Sequence, residues 1–252
     1  MKLWIYANLI LMALHYAPSH ASAWVQISPE KDVLTVSATL YLYGNAANQD
    51  LVNSVVDEIN LYWSGMTHTS SIPLPLWAGG ARTKQKFEIS VKGELISESL
   101  AQLMIRNHPA IGQNFIHIIA QPIDRTRPHS YIDKICGSTG TWMVTDQLGS
   151  STTSAHEFGH ALCLVHPYTS DLRGHGAPWM MVPRNSWVDS LYQINPHAKP
   201  GSIEGALNPL TRRVLQTDLD QIDWEDLVFD SNGRAPLGEP ATLNLKENQP
   251  IE

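Results

Sequence analysis

The period of apolar and polar positions changes several times along the chain, and each change marks an element. Leu34, Val36, Ala38, Leu40 and Leu42 alternate with Thr35, Ser37, Thr39 and Tyr41, the period of a half-buried strand. Val52, Val55, Val56, Ile59 and Trp63 then recur at helical spacing, with Asn48 or Asp50 placed to cap the N-terminus. Phe87, Ile89 and Val91 alternate with Glu88, Ser90 and Lys92 as a second strand. The mostly apolar run 115–120 reads as a buried central strand, and 141–144 as a short edge strand. Ser151 to Ser154 offer N-caps for a helix running through Leu162. Residues 167–209 are rich in glycine and proline and predict irregular chain. Val214, Leu215, Leu219 and Ile222 share one side of a last amphipathic helix expected over 211–222. Beyond Trp224 the chain turns polar, with Asn232-Gly233 and several prolines, so 225–252 is expected to be a partly disordered tail.

The N-terminus has its own pattern. Lys2 precedes a mostly apolar run, 3–14, and Ala21-Ser22-Ala23 is a small-x-small triplet before Trp24. This is the form of a secretory signal peptide, 1–23, cleaved after Ala23. A secreted or periplasmic protein is the expectation. The absence of Asn-x-Ser/Thr sequons gives no support to a glycosylated eukaryotic one.

Composition narrows the classes. The chain has 252 residues, 43% hydrophobic and 16% charged, enough apolar material for a core and too little charge for a disordered chain. One domain with a tail is the default at this length. The net charge is −7, with no large Lys/Arg cluster, which argues against a nucleic-acid partner. Nothing after the leader is apolar enough for a membrane span. Two cysteines exclude a disulfide-dense scaffold and a Cys-rich zinc finger.

The chemistry concentrates in 156–166, which reads H-E-F-G-H-A-L-C-L-V-H. His156 and His160 lie one helical turn apart on one face, so two imidazoles can point at one metal. Glu157 is rotated about 100° from His156 and flanks the metal, where a general base belongs. On a continuous helix His166 would lie about 15 Å along the axis from His156, too far to share an ion with bonds of about 2.0–2.1 Å. The helix must therefore end near 163 and the chain turn back. Pro167 agrees, because it pushes His166 out of the helical region. Chance arrangement of H-E-x-x-H with a third His at this place would occur in roughly 0.1% of shuffled chains.

This segment resembles the metzincin zinc-peptidase signature, H-E-x-x-H-x-x-G-x-x-H. Met180-Met181-Val182-Pro183 is similar to the family's Met-turn in its matrix-metalloproteinase form, with Met181 as the methionine. His166-Pro167 is closer to the serralysin group, and Gln216-Thr217-Asp218-Leu219 resembles the family's last helix. The resemblance is specific over 150–185 and loose elsewhere. It implies an α+β, zincin-like fold: an N-terminal mixed twisted sheet with helices, an active-site helix, the Met-turn and a C-terminal helix. It divides 24–224 into an upper subdomain, 24–160, and a lower one, 161–224. It makes His156, His160 and His166 the ligands of Zn2+ and Glu157 the base.

The sequence departs from the family at three places. Cys163 stands where the signature has its turning glycine, a position at which a non-glycine residue with positive φ costs roughly 1–2 kcal/mol. Val182 and Pro183 follow the methionine where the family often has a tyrosine, leaving Tyr168 and Tyr192 as substitutes. Met181 lies 15 residues after His166, and the connection contains Gly174-His175-Gly176, with His175 read as a loop residue.

The expected function is an exported zinc endopeptidase acting on a protein or peptide, with Glu157 taking the proton of a metal-activated water and passing it to the leaving amine. Two alternatives stay open: a zinc hydrolase toxin or effector acting on bacterial envelope or peptidoglycan peptides, and a non-catalytic metal-stabilised binding module. Retention of Glu157 argues against the last. Cys136 and Cys163, as the only two cysteines of an exported chain, are expected to pair. Such a bridge would anchor the end of the zinc helix.

Overall fold

The computed structural model describes residues 21–28, 32–64, 66–68, 85–107, 109–123 and 126–238. The signal peptide expected over 1–23 lies outside these except for its last three residues, and so does the tail from 239 onward.

The chain is mixed α+β. Its strands are β1 (Ala23–Ser28), β2 (Val33–Tyr43), β3 (Thr67–His68), β4 (Gln85–Leu95), β5 (Gln113–Ile119), β6 (Tyr131–Ile132), β7 (Thr139–Met143) and β8 (Arg234–Leu237). Its helices are α1 (Gln49–Trp63), α2 (Glu98–Arg106), α3 (Thr153–Ala161) and α4 (Gln216–Leu219). The alternating sequence of β2 buries every second side chain along its whole length. It therefore forms the spine of an eight-stranded sheet in the order β3-β4-β2-β5-β7-β6. The pairs β4-β2-β5-β7 are parallel. The short β3 and β6 run antiparallel at the two ends.

One edge of β2 is shared. Its first half, 33–37, pairs antiparallel with β1, and its second half, 39–43, pairs with β5. Strand β8 then adds antiparallel to the outer side of β1. Residue 235 and residue 237, both in the expected tail, are buried side chains of this strand, Ala235 and Leu237. The tail is thus corrected: the described chain to 238 belongs to the sheet.

Helices α1 and α3 pack into the main core, where Val52, Val55, Ile59 and Trp63 of α1 meet Ala155 and Phe158 of α3 and the inner faces of β2 and β4. Asn48 caps α1, its side chain accepting from the Leu51 N–H at 2.9 Å. Helix α2, which the apolar pattern does not reveal, buries only Ala101.

Two further expectations change. Strand β7, expected at an edge, lies between β5 and β6. The last helix, expected over 211–222, shrinks to four residues. Arg213 instead bridges to Trp179 as extended chain, while Val214, Leu219 and Ile222 still reach the core. The glycine- and proline-rich stretch is irregular as expected, but it carries a small core of its own, Leu172, Val182, Val188 and Leu207.

Candidate metal centre

Helix α3 is buried along its whole length, and three distant groups hold it. Glu58 of α1 accepts from the Ser151 N–H at 3.2 Å and from the Ala155 N–H at 3.0 Å. A carboxylate there satisfies donors that the first turn of a helix leaves free and complements its dipole. Burial raises the Glu58 carboxyl above its ordinary value, against these N–H donors. The Trp63 indole N–H donates to the Ala155 carbonyl at 2.9 Å. Arg184 donates to the Asp146 carbonyl and to the hydroxyls of Ser151 and Thr153.

The far end of α3 is a Schellman turn. The Cys163 N–H donates to the His160 carbonyl at 3.1 Å and the Leu164 N–H to the Gly159 carbonyl at 3.0 Å. Cys163 sits at the left-handed position with φ +75°, the place that usually takes glycine. A disulfide joins it to Cys136, with Cα atoms 4.1 Å apart. The Cys136 N–H also donates to the His160 carbonyl, at 2.8 Å. The expected bridge is therefore present, and it clamps the turn that brings His166 back.

That turn assembles three imidazoles. The Nε2 of His166 lies 3.0 Å from that of His156 and 3.1 Å from that of His160. The Nδ1 of His156 is 2.8 Å from the Met180 carbonyl, and the Nδ1 of His160 is 2.8 Å from the Leu164 carbonyl. A carbonyl only accepts, so both Nδ1 atoms carry the proton and both Nε2 atoms present lone pairs. Metal-bound histidines show the same outer hydrogen bond. Three imidazole nitrogens on one tetrahedral ion would stand roughly 3.3 Å apart, close to the spacing found. The three histidines could hold a metal ion. Burial holds His156 well below the ordinary histidine value, His160 down to about 4 and His166 below normal, so all three are neutral at pH 7.

Glu157, next on the helix, is buried. The Ile132 N–H of β6 donates to it, while its Oε2 has no partner among the described residues. Burial pushes its carboxyl up to about 8, with Arg212 pulling the other way. At about 8 this carboxyl holds its own proton at neutral pH without a metal, and a cation held by the adjacent histidines would favour its ionised form.

Met181 packs beneath the helix. A Cβ on Gly159 would collide with the Met181 sulfur and come within 3.2 Å of the Trp63 ring. Met181 touches α3 through packing. The turn it occupies is fixed by Asp218, whose carboxylate accepts from the N–H groups of Met180 at 3.0 Å, Met181 at 3.1 Å and Leu215 at 2.9 Å.

Of the remaining candidates, Tyr168 is fully exposed and Tyr192 packs against the small core of the irregular stretch. His175 is exposed and lies outside the histidine group. Sequence patterns do not reveal the roles of Glu58, Trp63, Arg184 and Asp218. Each acts on α3 or on the methionine turn from a distant part of the chain. Among the described residues, no helix is long and apolar enough to cross a membrane. No protein-family model matches this sequence, and comparison with curated proteins finds none that is similar.

Proposed function

We propose that this chain is an exported, zinc-dependent endopeptidase of the metzincin kind. The observation that carries the reading is the convergence of three neutral histidine Nε2 atoms beside a buried carboxylate with an open oxygen. Imidazole suits zinc among the common divalent ions, and three protein ligands that leave a fourth position free are the donor set of a catalytic site. His156, His160 and His166 would hold the ion. Zinc bound there supplies Lewis acidity toward a carbonyl and toward water.

The protein's own contribution follows from its geometry. Glu157 accepts the proton of the attacking water and returns it to the leaving amine. Its Ile132 hydrogen bond fixes one oxygen and leaves Oε2 for this work. Met181 beneath Gly159, in the position of a Met-turn, keeps the ligand helix at a fixed height. The disulfide and the apolar run 3–14 behind Lys2, followed by small residues before Trp24, support export.

The test uses Glu157→Gln. The purified variant should retain one zinc per chain by elemental analysis and lose casein hydrolysis by about 10²–10⁴-fold or more. His166→Ala should lose the zinc. Undiminished hydrolysis in the glutamine variant would remove Glu157 as the base and with it the histidine site as the source of the activity. Hydrolysis of purified cell wall but not casein would reassign the substrate to envelope peptides.

A further inference from the structure

Three residues of the expected leader are built into the fold. The Ala21 carbonyl accepts from the Gly112 N–H at 2.7 Å. Ser22 is wholly buried, and its hydroxyl donates to the Cys136 carbonyl at 2.9 Å. The Ser22 carbonyl accepts the buried Asn114 side-chain amide at 2.7 Å. That amide's other contacts are long, 3.4 Å to Gly112 and 3.5 Å to Thr39. Ala23 is opposite Leu237 in the β1–β8 pair and fully buried. Gly238 packs so closely on this segment that a Cβ would stand 2.8 Å from the Ser22 nitrogen.

Cleavage after Ala23 would delete all of this. It would leave the Asn114 amide with only weak acceptors, take the donor from the Cys136 carbonyl beside the disulfide, and shorten β1 at its pairing with β8. A buried polar group left without its partner costs about 1–3 kcal/mol. The sequence offers another frame. Ser19 and Ala21 are small residues two apart, the same requirement that Ala21 and Ala23 meet. Ala17 and Ser19 form a third frame, but it ends on serine and departs further from the A-x-A-like pattern. Of the two frames that end on alanine, only the Ser19/Ala21 frame keeps Ser22 and Ala23 in the mature chain.

We infer that a leader peptidase hydrolyses the Ala21–Ser22 bond, so that the mature protein begins at Ser22. Water adds across the peptide bond, leaving a carboxylate on Ala21 and a free α-amine on Ser22. This cut gives up the Ala21–Gly112 hydrogen bond and the buried Ala21 side chain and places the new α-amine at a buried position, but it keeps the Ser22 and Ala23 contacts that the later frame would also lose. The cut is made on the extended chain during export, before Ser22 is buried. This inference rests on the export reading above.

The experiment is intact-mass measurement and N-terminal sequencing of the full chain exported by a bacterial host, for the natural sequence and for Ser19→Leu. The natural chain should start at Ser22. Ser19→Leu blocks that frame and leaves Ala21 and Ala23 untouched, so the Ser22 product should fall at least tenfold, replaced by precursor or by a Trp24 start. A natural chain starting at Trp24 or His20 overturns the inference and leaves export standing. A Ser22 start that survives Ser19→Leu also overturns it. A chain exported uncleaved overturns the inference alone, and a chain that is not exported overturns both.

Discussion

Gly159 shows how narrowly a single residue can be specified. It lies between His156 and His160, and its missing side chain is the space that the Met181 sulfur and the Trp63 ring occupy. Alanine normally favours a helix over glycine by up to about 1 kcal/mol. Here the added methyl group must displace buried neighbours, and overpacking of this kind costs about 1–3 kcal/mol. Gly159→Ala is therefore expected to lower stability by about 1–2 kcal/mol despite the better helix propensity. Urea unfolding of the metal-free protein checks this, and a gain in stability would contradict the packing described.

At the scale of elements, the end of α3 combines a strained residue with a crosslink. The chain-entropy view gives a bridge with a sequence separation of 27 roughly 3–4 kcal/mol of stabilisation. Cys163 in the left-handed region costs about 1–2 kcal/mol relative to glycine. The double variant Cys136→Ser with Cys163→Gly should thus be more stable than Cys136→Ser with Cys163→Ser by about 1–2 kcal/mol. It should also bind zinc more tightly in a competition titration, since the turn places His166. Equal affinities would show that the turn does not set the third ligand.

Helix α4 makes a second case at this scale. Burial pushes the Asp218 carboxyl up to about 6, opposed by the N–H groups of Leu215, Met180 and Met181. The unfolded value is about 3.9. Between these values the folded chain holds more protons than the unfolded one. The stability contributed by Asp218 is therefore fully present below about pH 4 and is lost as pH rises through about 6. The buried histidines slope the other way, because their folded values lie below the unfolded one. Asp218→Asn removes one contribution and leaves the other. Metal-free stability of the variant should then rise more steeply with pH between 4 and 6 than that of the natural chain. Parallel pH profiles would sink the assignment.

For the whole molecule, the last described strand decides the integrity of the first. Strand β8 covers β1, which in turn covers half of β2. Ending the chain at Asp230 removes the buried side chains of Ala235 and Leu237 and the hydrogen-bonded cover of β1. Full burial of one Leu side chain is worth about 1.5–3 kcal/mol. A chain ending at Asp230 should melt at least several degrees below one ending at Gly238, measured by circular dichroism. It should also aggregate more readily, because it exposes an open strand edge. Matching melting curves would show that β8 is dispensable.

The sequence by itself determined what depends on local period and spacing. The alternation in 34–42 produced β2, and the helical spacing after Asn48 produced α1 with that residue as its cap. The four-residue step from His156 to His160, together with the helix-length argument and Pro167, required the chain to turn back so that His166 could join them. Two cysteines behind a leader-like N-terminus were enough to expect their bridge. The tertiary structure alone decided what depends on pairing through space. Glu58 lies 97 residues before Ala155, and Asp218 lies 38 residues after Met180, so no local pattern links them. Residues 212–215 fall within the helical pattern, but the place of Arg213 beside Trp179 requires extended backbone there. Strand β8 is only four residues long, contains Pro236 and lies between Asn232-Gly233 and Gly238, so it does not announce itself, and it exists because β1 presents an edge for it. Helix periodicity and caps are written within one turn of chain. Strand partners and buried carboxylates are chosen only when distant segments compete for the same unsatisfied backbone groups.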